Sequence, residues 1–402
     1  MTAARPSHTG PLFLTVLATI TAFLPLSLHL FFPALPSVRA NFATTETIAN
    51  LTVSLPLFVM AFASLVYGSL SDRLGRRPVL LGSIVLFVTG SAISAMADSI
   101  WLLIAGRILQ SAGGGGGLGL ARSIARDVFG ADQLMKVLSY LTMAYAIGPM
   151  IAAPIGGVLV DTWGWRSILI SASVFGCLIA TLCWFVMFET HIERNSSSSK
   201  IGFFRGYGAL LSNLRFTSYV LQSGFSSAVF FTMAAASSFL MIDYLDRPAS
   251  EYGMYFISFP AGFLTGSLIS SQLAGRVRIE TMVIIGSLVM GIGAFTQVGF
   301  ILLDIITPLT IFLPGYFAIM SQGIALPSAQ TGAINAAGAL AGTAAGIGVF
   351  IQLFAAGTST QIYGLVADGT PYPMALVVSF FAVGTVMVGV IPFLMRDRKD
   401  AN

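Results

Sequence analysis

The stretch Gly68-Ser-Leu-Ser-Asp72-Arg73-Leu-Gly75-Arg76-Arg77-Pro78 packs four charges into six residues between two apolar runs, 48–69 and 78–97. Each run has about 20 residues, the length that crosses a hydrocarbon layer of about 30 Å as a helix. A charged turn joining two such runs is a helical hairpin whose tip stays in water, because only a helix satisfies its own backbone inside lipid.

Working outward, the same criterion places further spans near 12–32, 101–120, 137–160 and 167–188. A second set lies near 217–243, 252–273, 281–303, 309–331, 343–365 and 373–395. With the first two runs this makes twelve, an all-α transmembrane fold. Composition agrees: of 402 residues 56% are hydrophobic and 9% charged, with a mean hydropathy of +0.87. A soluble domain carries about 25% charged residues, so lipid is the main solvent of this chain. The first run, from Leu12 to Phe32, exceeds the apolar core of a cleaved signal and reads as a retained span.

Glu189 to Lys200 contains Ser196-Ser197-Ser198-Ser199, the natural linker between two six-helix halves. Residues 1–188 and 216–402 are therefore read as the two bundles. Residues 189–215 form the connection, with a short interfacial helix from Ile201 to Arg215. Sixteen of the twenty Lys and Arg residues fall in one set of alternate loops and three in the other, with Arg107 inside a span. The positive-inside rule then puts both termini in the cytoplasm, as an even number of spans requires.

The net charge of +4 is scattered over short loops, which excludes a nucleic-acid face. Cys177 and Cys183, six residues apart, point to different sides of one helix, so neither a disulfide nor a metal site is implied. His8, His29 and His191 lie in separate regions and no phosphate-binding G-x-x-x-x-G-K-S/T loop occurs. No catalytic cluster, metal or cofactor is expected.

The opening stretch matches G-x-L-x-D-R-x-G-R-R at Gly68, Asp72, Arg73, Gly75, Arg76 and Arg77, and so resembles the signature loop of the major facilitator superfamily. Gly148-Pro149-Met-Ile-Ala-Ala-Pro154-Ile-Gly156-Gly157 in span 5 resembles the element typical of that superfamily's exporters. Arg107-Ile-Leu-Gln110-Ser-Ala-Gly113, Arg122 to Asp127, Gly164-Trp165-Arg166 and Phe32-Pro33-Ala34-Leu35-Pro36 resemble its bicyclomycin and chloramphenicol resistance branch. In the second half Leu273-Ala-Gly275-Arg276-Val-Arg278 looks like a degenerate copy of the first signature loop.

The resemblance implies a secondary transporter in a bacterial plasma membrane, a monomer that exports a small molecule against protons by alternating access. It also implies a conformational latch for the outward-facing state, in which Asp72 faces the start of span 11 near Gly338, Gly342 and Gly346. The span 5 element would then seal the centre when it opens inward. An uptake symporter, a uniporter, an anion exchanger or a non-transporting sensor remain the alternatives.

One departure matters. The branch carries an aspartate where this chain has His29, and no Asp or Glu lies near the middle of any predicted span. Arg107, a charge at depth costing about 2.5–3.5 kcal/mol, reads as functional unless it snorkels to the nearby surface. Three readings of His29 stay open: a proton carrier, the partner of Arg107 in an anion-attracting site, or a neutral ring that only packs. Gln222, Phe230 and Phe231 on span 7 and Tyr316, Met320 and Gln322 on span 10 are further candidates for the cavity wall, against the plainer reading as helix packing.

Overall fold

A computed structural model describes residues 10–190, 208 and 210–395. The serine linker and most of the expected interfacial helix lie outside them. Among the described residues the regular structure is helical, apart from an isolated bridge between Ala274 and Val277. Ten of the described helices are long and apolar enough to cross a membrane.

Predicted spans 4 and 8 are absent from that ten because each is interrupted. Span 4 begins as Ile100–Gly114, breaks at Gly115 and Gly116, and resumes in a 47-residue helix, Gly117–Trp163, that continues through the predicted turn into span 5. The glycines admit close neighbours: a Cβ on Gly115 would lie 2.7 Å from Ala63 Cβ, and one on Gly116 2.9 Å from the Tyr67 ring. Span 8 is split into Ala249–Phe256 and Ser258–Leu273. Pro260 lacks the N–H that would have bonded the Phe256 carbonyl, which loosens the ladder there. With these two, twelve spans are present.

The others are Pro11–His29, Glu46–Leu74, Arg76–Ala95, Lys136–Trp163 and Arg166–Val186 in the first half. Leu214–Phe239, Ile279–Leu302, Pro308–Ala337, Ala341–Val366 and Tyr372–Leu394 make up the second. The halves repeat one plan. Span 1 packs on span 5 as span 7 packs on span 11, and span 3 packs on spans 4 and 6 as span 9 packs on spans 10 and 12. Between the halves, span 2 lies along span 11 and span 5 along span 8. The turns also correspond: Gly75 has φ 102° and Gly275 φ 76°, both left-handed conformations that favour glycine.

Two boundaries differ from the sequence reading. Span 1 does not stop at Phe32 but continues through a 3-10 turn, Phe32–Ala34, into a short helix, Leu35–Asn41. Pro33 and Pro36 each sit in a first turn, where a missing N–H is harmless. Span 2 starts at Glu46, not near residue 48, because the Thr45 side chain accepts the Ile48 N–H and caps the helix. Both shifts carry charged residues into the seam between the halves.

Candidate functional site

His29 ends the first helix and is 5% exposed. Rings from both halves surround it: Phe32 from the first, and Phe230, Phe231 and Phe256 from the second, with centroids 5.6–6.0 Å away. Phe230 meets it edge-on and Phe231 nearly parallel. His29 Nδ1 has no hydrogen-bond partner. The structure thus brings three candidates, His29, Phe230 and Phe231, into one aromatic cluster and adds Phe256 from span 8.

Arg107 is 1% exposed and does not snorkel. Its Nε donates to the Thr52 carbonyl at 3.2 Å, Nη1 donates to Gln110 Oε1, and the guanidinium lies 4.2 Å from the Phe31 ring centroid. Gln110 in turn donates to Ser91 Oγ at 2.7 Å. Arg107 therefore ties spans 1, 2, 3 and 4 together, and its Nη2 has no partner. Phe31 and Phe32 are adjacent in sequence, so the arginine and the histidine cluster flank one short segment.

The remaining candidates separate. Gln322 donates to Ser227 Oγ at 3.2 Å, joining span 10 to the span 7 helix that carries Phe230. Tyr316 donates to Thr265 Oγ1 at 3.0 Å, and Met320 lies at the close crossing of spans 8 and 10, where a Cβ on Gly262 would sit 3.2 Å from its nitrogen. Gln222 donates to Ser287 Oγ at 3.3 Å and is buried against spans 9 and 12, inside the second half.

At one end of the bundle the two halves are locked together. Gly157 of span 5 faces the start of span 8, where its Cβ would come within 2.7 Å of Ala249 C and Ser250 Cα. Gly253 faces back, where a Cβ would lie 2.8 Å from Pro154 Cα, and one on Gly156 would lie 3.1 Å from Pro33 Cγ. Gly148 and Pro149 lie about two turns further along the same helix. Asp161 closes this contact: its carboxylate accepts the backbone N–H groups of Ala249 and Ser250 at 3.0 and 2.8 Å, capping span 8 from the other half. A carboxylate at a helix N-terminus satisfies orphan donors and favours the dipole. Asp161→Ala is expected to weaken this end by about 0.5–2 kcal/mol. Labelling of a cysteine placed at Phe32 should accelerate about 2- to 30-fold, while Asp161→Asn keeps most of the seal.

At the opposite end the latch is not engaged. Asp72 is 58% exposed and pairs with Arg76 of its own half at 2.7 Å. A Cβ on Gly68, Gly338 or Gly342 would meet nothing within 4 Å. A Cβ on Gly346, further along span 11, would lie 3.6 Å from Leu65 Cδ2. The halves thus meet closely at the Asp161 end and loosely around Asp72. Arg76, 2% exposed, gathers the turn: it also bonds Asp127 at 3.1 Å and Ser71 Oγ at 2.5 Å. Glu189 accepts the Arg76 and Arg77 N–H groups at 2.9 and 3.3 Å, while Arg73 stays exposed. Asp127 was legible as part of the Arg122 to Asp127 string, whereas Glu189, at the far end of span 6, carried no local signal.

A chain of twelve spans in two repeated bundles, with buried polar groups at the seam and one end locked, is a membrane transporter. The family model for the Major Facilitator Superfamily matches residues 15–360, and the chain belongs to that superfamily. It is 25% identical to a bicyclomycin resistance protein homolog of Haemophilus influenzae, over 67% of this chain and 68% of that one. It is 27% identical to multidrug resistance protein D of Escherichia coli K12, over 82% of this chain and 83% of the other. Its fold is shared with a bacterial homologue of the human lysosomal transporter Spinster in an inward-facing, occupied conformation, with a TM-score of 0.74, 16% identity and 95% of each chain covered.

Proposed function

We propose that the chain exports a small organic molecule in exchange for protons, through a site walled by His29, Phe230, Phe231, Phe256 and Gln322 and bordered by Arg107. The observation that carries this reading is the asymmetry of the seam, fastened at the Asp161 end and unlatched at Asp72. By the distribution of Lys and Arg the Asp72 end is cytoplasmic, so this arrangement is the inward-open half of an alternating-access cycle. Asp72, Arg73, Arg76 and Arg77 are the latch of the other half, engaging span 11 once the outer end parts. The linker 189–215 tethers the bundles on the cytoplasmic side.

The cluster favours a ligand with a ring or apolar face to lie against phenylalanine and an acceptor for the open Nη2 of Arg107. A carbonyl-rich or anionic compound fits better than a lipophilic cation, since no carboxylate faces His29 or Arg107 among the described residues. A membrane potential supplies about 2.3 kcal/mol per charge per 100 mV to such an exchange.

Bicyclomycin is the first probe, because a relative is named for it. Purified protein in sealed vesicles with an imposed pH gradient should accumulate labelled bicyclomycin on the acidic side. Internal pyranine should report the matching proton flow. Bicyclomycin movement indifferent to the gradient would replace exchange by facilitated diffusion, and an unmoved probe would remove this substrate class.

A further inference from the structure

Sequence reading left Glu46 outside span 2. The structure makes it the first residue of that helix and buries it to 8% exposure, the one carboxylate residue so covered among those described. Its Oε1 lies 3.4 Å from Arg39 Nη1, and its Oε2 accepts the Tyr363 hydroxyl at 3.2 Å. The other terminal nitrogen of Arg39 lies 3.1 Å from Asp243 Oδ2, whose side chain is 28% exposed. Arg39 and Glu46 belong to the first half, Asp243 and Tyr363 to the second. Two carboxylates thus share one guanidinium across the seam at the outer end.

We propose that this cluster is a proton-binding site, with one proton held by the Glu46–Asp243 pair beside Arg39 when the outer seam is closed. The inference deepens the reading as a proton-driven exporter and rests on it for the direction of coupling. Closed, the cluster holds two acidic groups against one fixed cation, and the surplus negative charge is cancelled by a single proton on either carboxylate. Because the pair shares the proton, it titrates as a unit. When the outer end parts, Asp243 and Tyr363 leave with the second half. Arg39 then faces Glu46 alone, a balanced pair that favours the ionised carboxylate.

Proton affinity is therefore higher in the closed than in the parted arrangement, and by linkage a proton favours closing. In an exchanger this is the required sign, since a proton arriving from the acidic outer side drives the empty carrier back to its inward-open form. Asp368 is the other charged group near enough to act on Glu46. Bonds from the Thr370 hydroxyl and N–H hold Asp368 below the usual carboxylate range, so it stays a fixed negative charge. Inward from Glu46 the seam remains polar, through Asn50, whose Oδ1 has no partner, and the Ser54–Gln361 bond at 2.7 Å. That line of side chains gives the proton a path toward the centre.

The test uses the full chain in lipid nanodiscs, with Cys177 and Cys183 changed to alanine and spin labels at Met96 and Leu303, exposed positions on the two halves at the outer end. Distances are measured by electron–electron double resonance from pH 5 to 9. Unaltered at the cluster, the chain should shift to the short separation as pH falls, along a one-proton curve. Glu46→Gln should hold the short separation at every pH, Asp243→Asn should flatten the curve, and Glu46→Asp should keep a displaced one. If the ion pair is only a strut, Glu46→Gln gives the long separation throughout, and the proposal falls. It also falls if the curve survives both substitutions, as it would were His29 the titrating group, or if the unaltered chain shows no response. A normal distance response without pH-driven transport would remove the exporter reading and leave this site standing.

Discussion

Leucine in place of Gly157 should leave the chain folded and inserted yet reduce transport about a hundredfold. The Cβ alone would lie 2.7 Å from two backbone atoms of span 8, Ala249 C and Ser250 Cα, and backbone at a helix start yields less readily than a flexible side chain. Overpacking of this kind costs about 1–3 kcal/mol where the structure can relax. Here the contact joins two bundles, so relaxation means parting them. Because the close approach exists only while the Asp161 end is shut, the penalty falls on one state, and about 3 kcal/mol shifts a two-state balance by about 150-fold. The matched control is Gly82→Leu, where a Cβ meets nothing within 4 Å and transport should be nearly unchanged. Nitroxides at Met96 and Leu303 should show Gly157→Leu at the long separation. Wild-type transport in that variant would show that the cycle does not require this contact.

The same residue marks how far sequence reading reaches. Gly156 and Gly157 stood out because their spacing with two prolines repeats a known element, and a flat glycine face announces a neighbour. Which neighbour it is depends on Ala249 and Ser250, ninety residues away and chemically unremarkable. Spans were legible wherever lipid demands an unbroken apolar run. Spans 4 and 8 were legible too, but not their breaks at Gly115–Gly116 and Ile257, since hydropathy does not register an interruption inside an apolar run.

Glu46 was missed for a related reason. Hydropathy treats a carboxylate at a span end as the start of water, but Thr45 caps the helix ahead of it. Arg39 arrives on the short helix Leu35–Asn41, beyond the 12–32 run that hydropathy marks as span 1. Tyr363, its partner across the seam, is 317 positions away in sequence. The pairing of Arg107 with Gln110, by contrast, is one helical turn and could be read directly. The cluster around His29 mixes both cases: Phe230 and Phe231 were candidates by residue type, and Phe256 joins them only through the packing of span 8 across the seam.

Arg107→Ala should abolish transport at normal membrane abundance, and the structure says why lysine will not restore it. The guanidinium meets three different partners at once, the Thr52 carbonyl, Gln110 Oε1 and the face of Phe31, with Nη2 left over. Alanine strands the carbonyl and the amide oxygen in a dry interior, at about 1–3 kcal/mol each, and forfeits a cation–π contact worth about 2 kcal/mol when desolvated. Lysine keeps the charge but is a point donor on a flexible stem, so it holds one of those partners and leaves nothing shaped for a ligand. Losing a buried charged contact to substrate costs about 2–5 kcal/mol, a loss of about 30- to 5,000-fold. His29→Ala probes the other wall: it opens a void between Phe230 and Phe256 but orphans no protein group, because Nδ1 has no partner to lose. The two variants should therefore part company in stability while agreeing in function. Arg107→Ala should unfold several degrees earlier and His29→Ala only slightly, with transport lost in both. Melting of the detergent-purified proteins, with and without bicyclomycin, separates these outcomes. A His29→Ala protein that still transports would reduce that ring to packing and confine recognition to the Arg107 side of the Phe31–Phe32 segment.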